Sequence, residues 1–120
     1  MTACVAGGTR ECPERDTVKV TSKRGELTAR PECITVERGS SFTLQLRDRP
    51  AAGRARTRPD SEKNPGAGWL QRANDEGRDI VISVPPGEPA ADLCDDTGCY
   101  YKYEIQVDDI GMLDPRVRVR

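Results

Sequence analysis

The stretch GCYYKYEIQVDDIGMLDPRVRV, residues 98–119, decides how the rest of the chain is read. Apolar side chains recur at Tyr101, Tyr103, Ile105 and Val107, while Lys102, Glu104 and Gln106 take the places between them. A period of two belongs to a strand with one face in a core and the other in water. Val117 and Val119 repeat the pattern in the closing RVRV and are the expected neighbours of that strand. Asp108 to Pro115 is then the connection between the two.

The same rhythm runs upstream. TVKVTS places Val18 and Val20 on one face, and GELTAR follows a turn at Lys23-Arg24-Gly25. ECITVERG carries Ile34 and Val36, and Gly39, Ser40 and Ser41 make the next turn. In SFTLQLR, Phe42, Leu44 and Leu46 point inward and Thr43, Gln45 and Arg47 outward. DIVISVPPGEP supplies another strand, ended by Pro85-Pro86. No segment has the 3.6-residue recurrence of a helix, although WLQRANDEGRD could form a turn or two. About seven short strands separated by turn residues predict an all-β sandwich.

Two segments break the rhythm. Residues 1–16 show neither hydrophobic period and read as a flexible N-terminal arm, leaving 17–120 as one domain. RDRPAAGRARTRPDSEKNPGAG, Arg47 to Gly68, has prolines and glycines that argue against a continuous strand or helix. It is long beside the ~4–6 residues of an ordinary connection. Trp69 and Leu70 are the expected anchor that returns it to the core.

A chain of 120 residues is one domain's worth. It has 35% hydrophobic and 4% aromatic residues, which is lean for a core. Nineteen bases against twenty acids leave a net charge of −1, so no global field draws it to nucleic acid or membrane. Histidine is absent, which removes the usual general base near neutral pH and the commonest metal ligand. No apolar run approaches the ~20 residues of a spanning helix, and no membrane partner is expected. The N-terminus has neither the basic start nor the ~7–15-residue apolar run of a signal peptide. The expectation is a cytoplasmic protein, with a mature secreted or periplasmic form as the alternative.

Of the five cysteines, Cys94 with Cys99 and Cys4 with Cys12 are the short-loop disulfide candidates. Cys94 and Cys99 could also act as a redox pair or as half a zinc site. Thiolate zinc sites show two tight knuckles, and Cys4 and Cys12 do not supply the second. Cys33 reads as a small packing residue or a surface thiol. Asp92, Asp95, Asp96, Asp108 and Asp109 are acidic, but they lack the alternating ligands and closing Glu of an EF-hand. No Ser/His, Cys/His or paired-carboxylate arrangement can be defended, so no catalytic residue is named and no enzyme is expected.

The order of these segments resembles the cupredoxin, or plastocyanin-like, family over roughly residues 17–120. ECITVERGSSFTLQL is similar to that family's early I-x-V-x-x-G strand, turn and strand. Gly98-x-Tyr100-x-x-Tyr103, then Gly111-Met112 and a closing Val117-x-Val119, is similar to its last two strands. The resemblance implies a Greek-key β-sandwich, with an immunoglobulin-like sandwich as the alternative. It also implies a Cys, a His and usually a Met as copper ligands here, and a second His from an earlier loop. Counting from Gly98, Glu104 stands at the cysteine's place, Val107 at the histidine's and Met112 at the methionine's. A register shifted by one residue puts Ile105 and Asp108 at the first two. Neither offers the thiolate and imidazoles of a type-1 centre. The expectation is a cupredoxin-like scaffold without copper, metal or cofactor.

The function expected is that of a non-catalytic interaction module. It would hold a protein partner, or a place in an assembly, through a sheet edge or the long loop with Arg47, Arg49, Arg54, Arg56, Arg58 and Trp69. Two alternatives come from other classes: a thiol-based redox or metal protein centred on Cys94 and Cys99, and an accessory nucleic-acid binder using the loop arginines against phosphates.

Overall fold

The computed structural model describes residues 12–23, 25–47, 55–60, 67–73, 79–87, 93–108 and 110–120. In chain order the strands are β1 Thr17–Lys23, β2 Glu26–Arg30, β3 Cys33–Val36, β4 Ser41–Arg47 and β5 Ala55–Pro59. A 3-10 turn at Gly68–Leu70 precedes β6 Arg72–Ala73, β7 Ile80–Ser83 and β8 Leu93–Asp95. β9 Gly98–Val107, β10 Gly111–Leu113 and β11 Arg116–Val119 complete the chain.

These strands form two mixed sheets. The smaller runs β2-β1-β4-β7, with β1 parallel to β4 and the other pairs antiparallel. The larger runs β3-β11-β9-β5-β6, and β8 and β10 also pair with β9. β3 lies parallel to β11, so the chain changes sheets between β2 and β3, at Pro31-Glu32. β9 is the spine, joined to β8, β11, β5 and β10 along its length.

The alternation read from the sequence produces the core. Val18, Val20, Phe42, Leu44, Ile80 and Ile82 of the smaller sheet are buried. Facing them are Ile34, Tyr101, Tyr103, Ile105, Val107, Val117 and Val119 of the larger. Phe42 and Tyr103 meet across the gap, with ring centroids 6.1 Å apart. Two sheets closing on one apolar layer is the β-sandwich-like, all-β arrangement expected. Burying such a side chain contributes roughly 1.5–3 kcal/mol, so this layer dominates stability. Gly98 opens β9 at φ 140°, where a Cβ would stand 2.6 Å from the Val119 carbonyl oxygen; only glycine fits there without displacement.

Three readings of the sequence need correction. The segment 47–68 is not a continuous loop: Ala55–Pro59 is a strand paired with Tyr103–Val107 of β9. Its buried residues, Ala55 and Thr57, are too small or too polar to give an apolar signal between arginines. The 108–115 connection contains β10, which folds back antiparallel on β9. The arm 1–16 is anchored at its end. Cys12 is buried, Thr35 N–H donates to the Pro13 carbonyl at 2.8 Å, and Glu14 bridges to Thr35 in parallel. In 69–79 the described structure is the 3-10 turn and the short strand β6.

Candidate functional site

Of the predicted loop arginines, Arg56 and Arg58 lie on the larger sheet and Arg47 ends β4 of the smaller one. Arg56 and Arg58 lie on β5 opposite Gln106 and Glu104 of β9, and the pairs interact directly across the ladder. Arg56 Nε donates to Gln106 Oε1 at 3.0 Å, and a second Arg56 nitrogen lies 3.4 Å from Asp108. Arg58 pairs with Glu104. Arg47 lies 3.5 Å from Asp79, whose carboxylate also accepts the Leu46 N–H at 3.0 Å. Trp69 packs against the core with its ring edge-on to Tyr101, centroids 5.1 Å apart. Its ring packs on the core, at the position expected for the residue that returns the segment to it. Arg49 and Arg54 lie outside the described residues. Arg56 and Arg58 are thus set on a strand, each beside a carboxylate, with their side chains still largely exposed.

The copper-ligand positions carry other duties. Ile105 and Val107 are core residues, Glu104 holds Arg58, Asp108 holds Arg56, and Met112 is 52% exposed on β10. Of the acidic residues weighed against an EF-hand, Asp95 accepts hydrogen bonds from Thr97 while Asp108 pairs with Arg56. Asp92 and Asp109 lie outside the described residues. Among the described residues one carboxylate group converges, Asp60, Glu104 and Asp114, with oxygens within 4.8 Å of one another.

The cysteines are where the structure adds most. Cys94 and Cys99 are bonded, directly opposite each other on β8 and β9. Cys12 is bonded to Cys33, 21 residues away, and not to Cys4, which lies outside the described residues. That bond fixes the segment before β1 along the free side of β3. It explains why Cys33, Ile34, Thr35 and Val36 are all buried, where one face was expected to be wet. Only the tertiary position of β3 brings these sulfurs together, so spacing along the chain carries no signal for it.

Arg118 ties this corner shut. Its Nε donates to Thr35 Oγ1 at 2.8 Å, and its terminal nitrogens reach Thr97 Oγ1 at 3.1 Å, Tyr100 OH at 3.3 Å and the Cys12 carbonyl at 3.4 Å. The free edge of the larger sheet at β3 is thereby covered.

The smaller sheet's edge at β2 has no strand paired to it among the described residues, although β10 packs beside it, with Gly111 next to the Leu27 side chain. β2 pairs with β1 on one side, and among the described residues its other backbone edge makes no hydrogen bond. Beside it lies an open groove of about 480 Å³, lined by Leu27, Ala29, Arg30 and Glu32 on one wall and Leu113, Asp114 and Pro115 on the other. The groove offers an apolar floor, unpaired backbone groups and an acidic end at Glu32 and Asp114.

No protein-family model matches the chain, and no curated protein matches its sequence.

Proposed function

We propose that the chain is a non-catalytic, metal-free domain of Greek-key, cupredoxin-like topology that binds an extended segment of a protein partner. The fold part of this reading is supported by the strand order. The chain leaves the smaller sheet after β2 and returns in the larger one as β3, parallel to the last strand. The absence of histidine from the sequence and the closure of Cys12, Cys33, Cys94 and Cys99 into disulfides support a function carried by surface. Two disulfides in a chain this small also favour a secreted or periplasmic setting over the cytoplasmic one.

The observation that carries the binding part is the unpaired backbone edge of β2, which with the neighbouring β10 and residues 113–115 frames a groove. An exposed edge is a template for another strand, and proteins ordinarily blunt it, as this chain does at β3 with its disulfide-held segment. At β2 the unpaired edge runs beside a groove suited to alternate side chains. The occupant is an extended strand of alternating apolar and basic residues. Its apolar side chains meet Leu27 and Leu113, and its bases meet Glu32 and Asp114.

The probe is an alternating valine–lysine heptapeptide added to the isotope-labelled, oxidised chain, with a valine–glutamate heptapeptide as control. The reading expects amide shifts confined to Leu27–Arg30 and residues 113–115 with the basic peptide, and their loss in Glu32→Lys/Asp114→Lys. Shifts elsewhere, equal shifts with both peptides, or none at all would contradict it.

A further inference from the structure

The two disulfides stand in opposite surroundings. Cys12 and Cys33 are 6% and 3% exposed, beneath the segment that covers β3. Cys94 is exposed on the outer strand of a hairpin, while Cys99 is half-buried on β9 and packs against the core. A thiolate attacks a disulfide along the sulfur–sulfur axis, from behind the sulfur it bonds to. Cys94 is exposed, and its strand pairs with β9 alone among the described residues. Behind Cys99 lie the core and Val119, its register partner on β11.

We propose that Cys94–Cys99 is a thiol–disulfide exchange site, that the Cys94 sulfur is the one attacked, and that Cys12–Cys33 is the permanent structural bond. This stands on a different surface from the β2 groove and does not depend on that reading. The co-reactant is a protein or small-molecule dithiol. Its thiolate bonds to Cys94 Sγ, the Cys94–Cys99 bond breaks, and Cys99 leaves as a thiolate. The dithiol's second thiolate then displaces Cys94 from the mixed disulfide. The dithiol ends as a disulfide, and Cys94 and Cys99 each take up a proton, a two-electron reduction of this chain.

The hairpin is built to survive that change. Asp95 accepts the Thr97 N–H at 2.7 Å, closing the Asp96-Thr97 turn, and Thr97 Oγ1 accepts from Arg118 at 3.1 Å. Tyr100 OH accepts from the same guanidinium at 3.3 Å, and none of these bonds involves sulfur. Reduction therefore opens one covalent link at the end of the sandwich and leaves the two sheets closed.

The experiment uses the oxidised full chain with Cys4 blocked by N-ethylmaleimide. It is incubated with graded dithiothreitol, alkylated with iodoacetamide and mapped by peptide mass. Cys94 and Cys99 are expected to label at a dithiothreitol concentration about tenfold or more below that for Cys12 and Cys33, with near-ultraviolet circular dichroism retained. Joint labelling of all four, or earlier labelling of Cys12 and Cys33, overturns the proposal. In a second arm, Cys99→Ser leaves Cys94 free and Cys94→Ser leaves Cys99 free, each with Cys4 replaced by Ser. Dithiobis(nitrobenzoate) is expected to react about tenfold faster with Cys94, and equal rates or a faster Cys99 overturn the assignment of the attacked sulfur.

Discussion

Arg118 and Thr35 join the two ends of the described chain: Nε of Arg118, in the last strand, donates to Thr35 Oγ1 at 2.8 Å, and that hydroxyl donates to the Cys12 carbonyl. Because the guanidinium also reaches Thr97 and Tyr100, one side chain holds the N-terminal segment, β3 and the β8–β9 hairpin together.

Arg118→Met keeps the apolar stem and removes every one of these donors. A hydrogen bond to a charged group contributes about 1.5–3 kcal/mol, less where water can replace it. The expected loss is about 1–2 kcal/mol in urea unfolding, with faster amide exchange at Thr35. An unchanged midpoint would show that the corner is held by the disulfide alone.

Tyr103 gives a prediction of the opposite sign. Its ring is fully buried against Phe42, and its hydroxyl has no hydrogen-bond partner among the described residues. An unpaired buried hydroxyl is a cost, so Tyr103→Phe is expected to be neutral or to stabilise by up to about 1 kcal/mol. Burial also pushes the phenol's pKa well above its ordinary value. The neutral form is thus favoured in the folded state, and stability falls as pH rises past the unfolded phenol's ~10. Alkaline unfolding should begin at higher pH in Tyr103→Phe. A loss of stability on substitution would mean that the hydroxyl is satisfied.

The two disulfides should differ in their contribution. They close segments of separation 21 and 5, for which loop-closure entropy gives roughly 3 and 2 kcal/mol. Cys12→Ser/Cys33→Ser should therefore lower stability more than Cys94→Ser/Cys99→Ser, and should also release amide protection at Thr35. Equal losses in thermal unfolding would count against a clamp at β3.

Asp95 supplies a pH signature for the hairpin. The Thr97 side-chain hydroxyl, and then its backbone N–H, hold the carboxylate below the ordinary aspartate value, despite full exposure. Such a group favours the folded hairpin above the unfolded pKa of ~3.9, and that contribution is lost as pH falls through the folded value. A carboxyl titration followed by NMR should show the lowered pKa in the native chain and its return toward the ordinary value in Thr97→Val. No difference between the two would remove Thr97 as the cause.

Much of the core was legible because its strands bury large apolar side chains at every second position. Phe42, Leu44 and Leu46, and Tyr101, Tyr103, Ile105 and Val107, are examples, and all are buried. β5 was illegible for the converse reason. Ala55 and Thr57 face inward between exposed arginines, and the strand exists because β9 offers it a partner, which no local pattern reveals. Cys94–Cys99 could be read from a short spacing, whereas Cys12–Cys33 needs β3 to be set beside the segment preceding β1. Trp69 looked both like a core anchor and like part of a binding loop, and its contact with Tyr101 assigns it to the core. The groove beside β2 is formed by residues 27–32 and 113–115, distant in sequence, and has no motif at all.

The exchange site rests on the closure of Cys12, Cys33, Cys94 and Cys99 into bonds, and the same closure supports the binding reading by leaving the scaffold without thiolate chemistry at rest. A non-reducing peptide map of the chain purified with thiols trapped at lysis measures this most directly. A Cys12–Cys33 linked pair, a Cys94–Cys99 linked pair and Cys4 as the single alkylated cysteine are expected. A Cys4–Cys12 pair, or free thiols at Cys12 and Cys33, would contradict that closure.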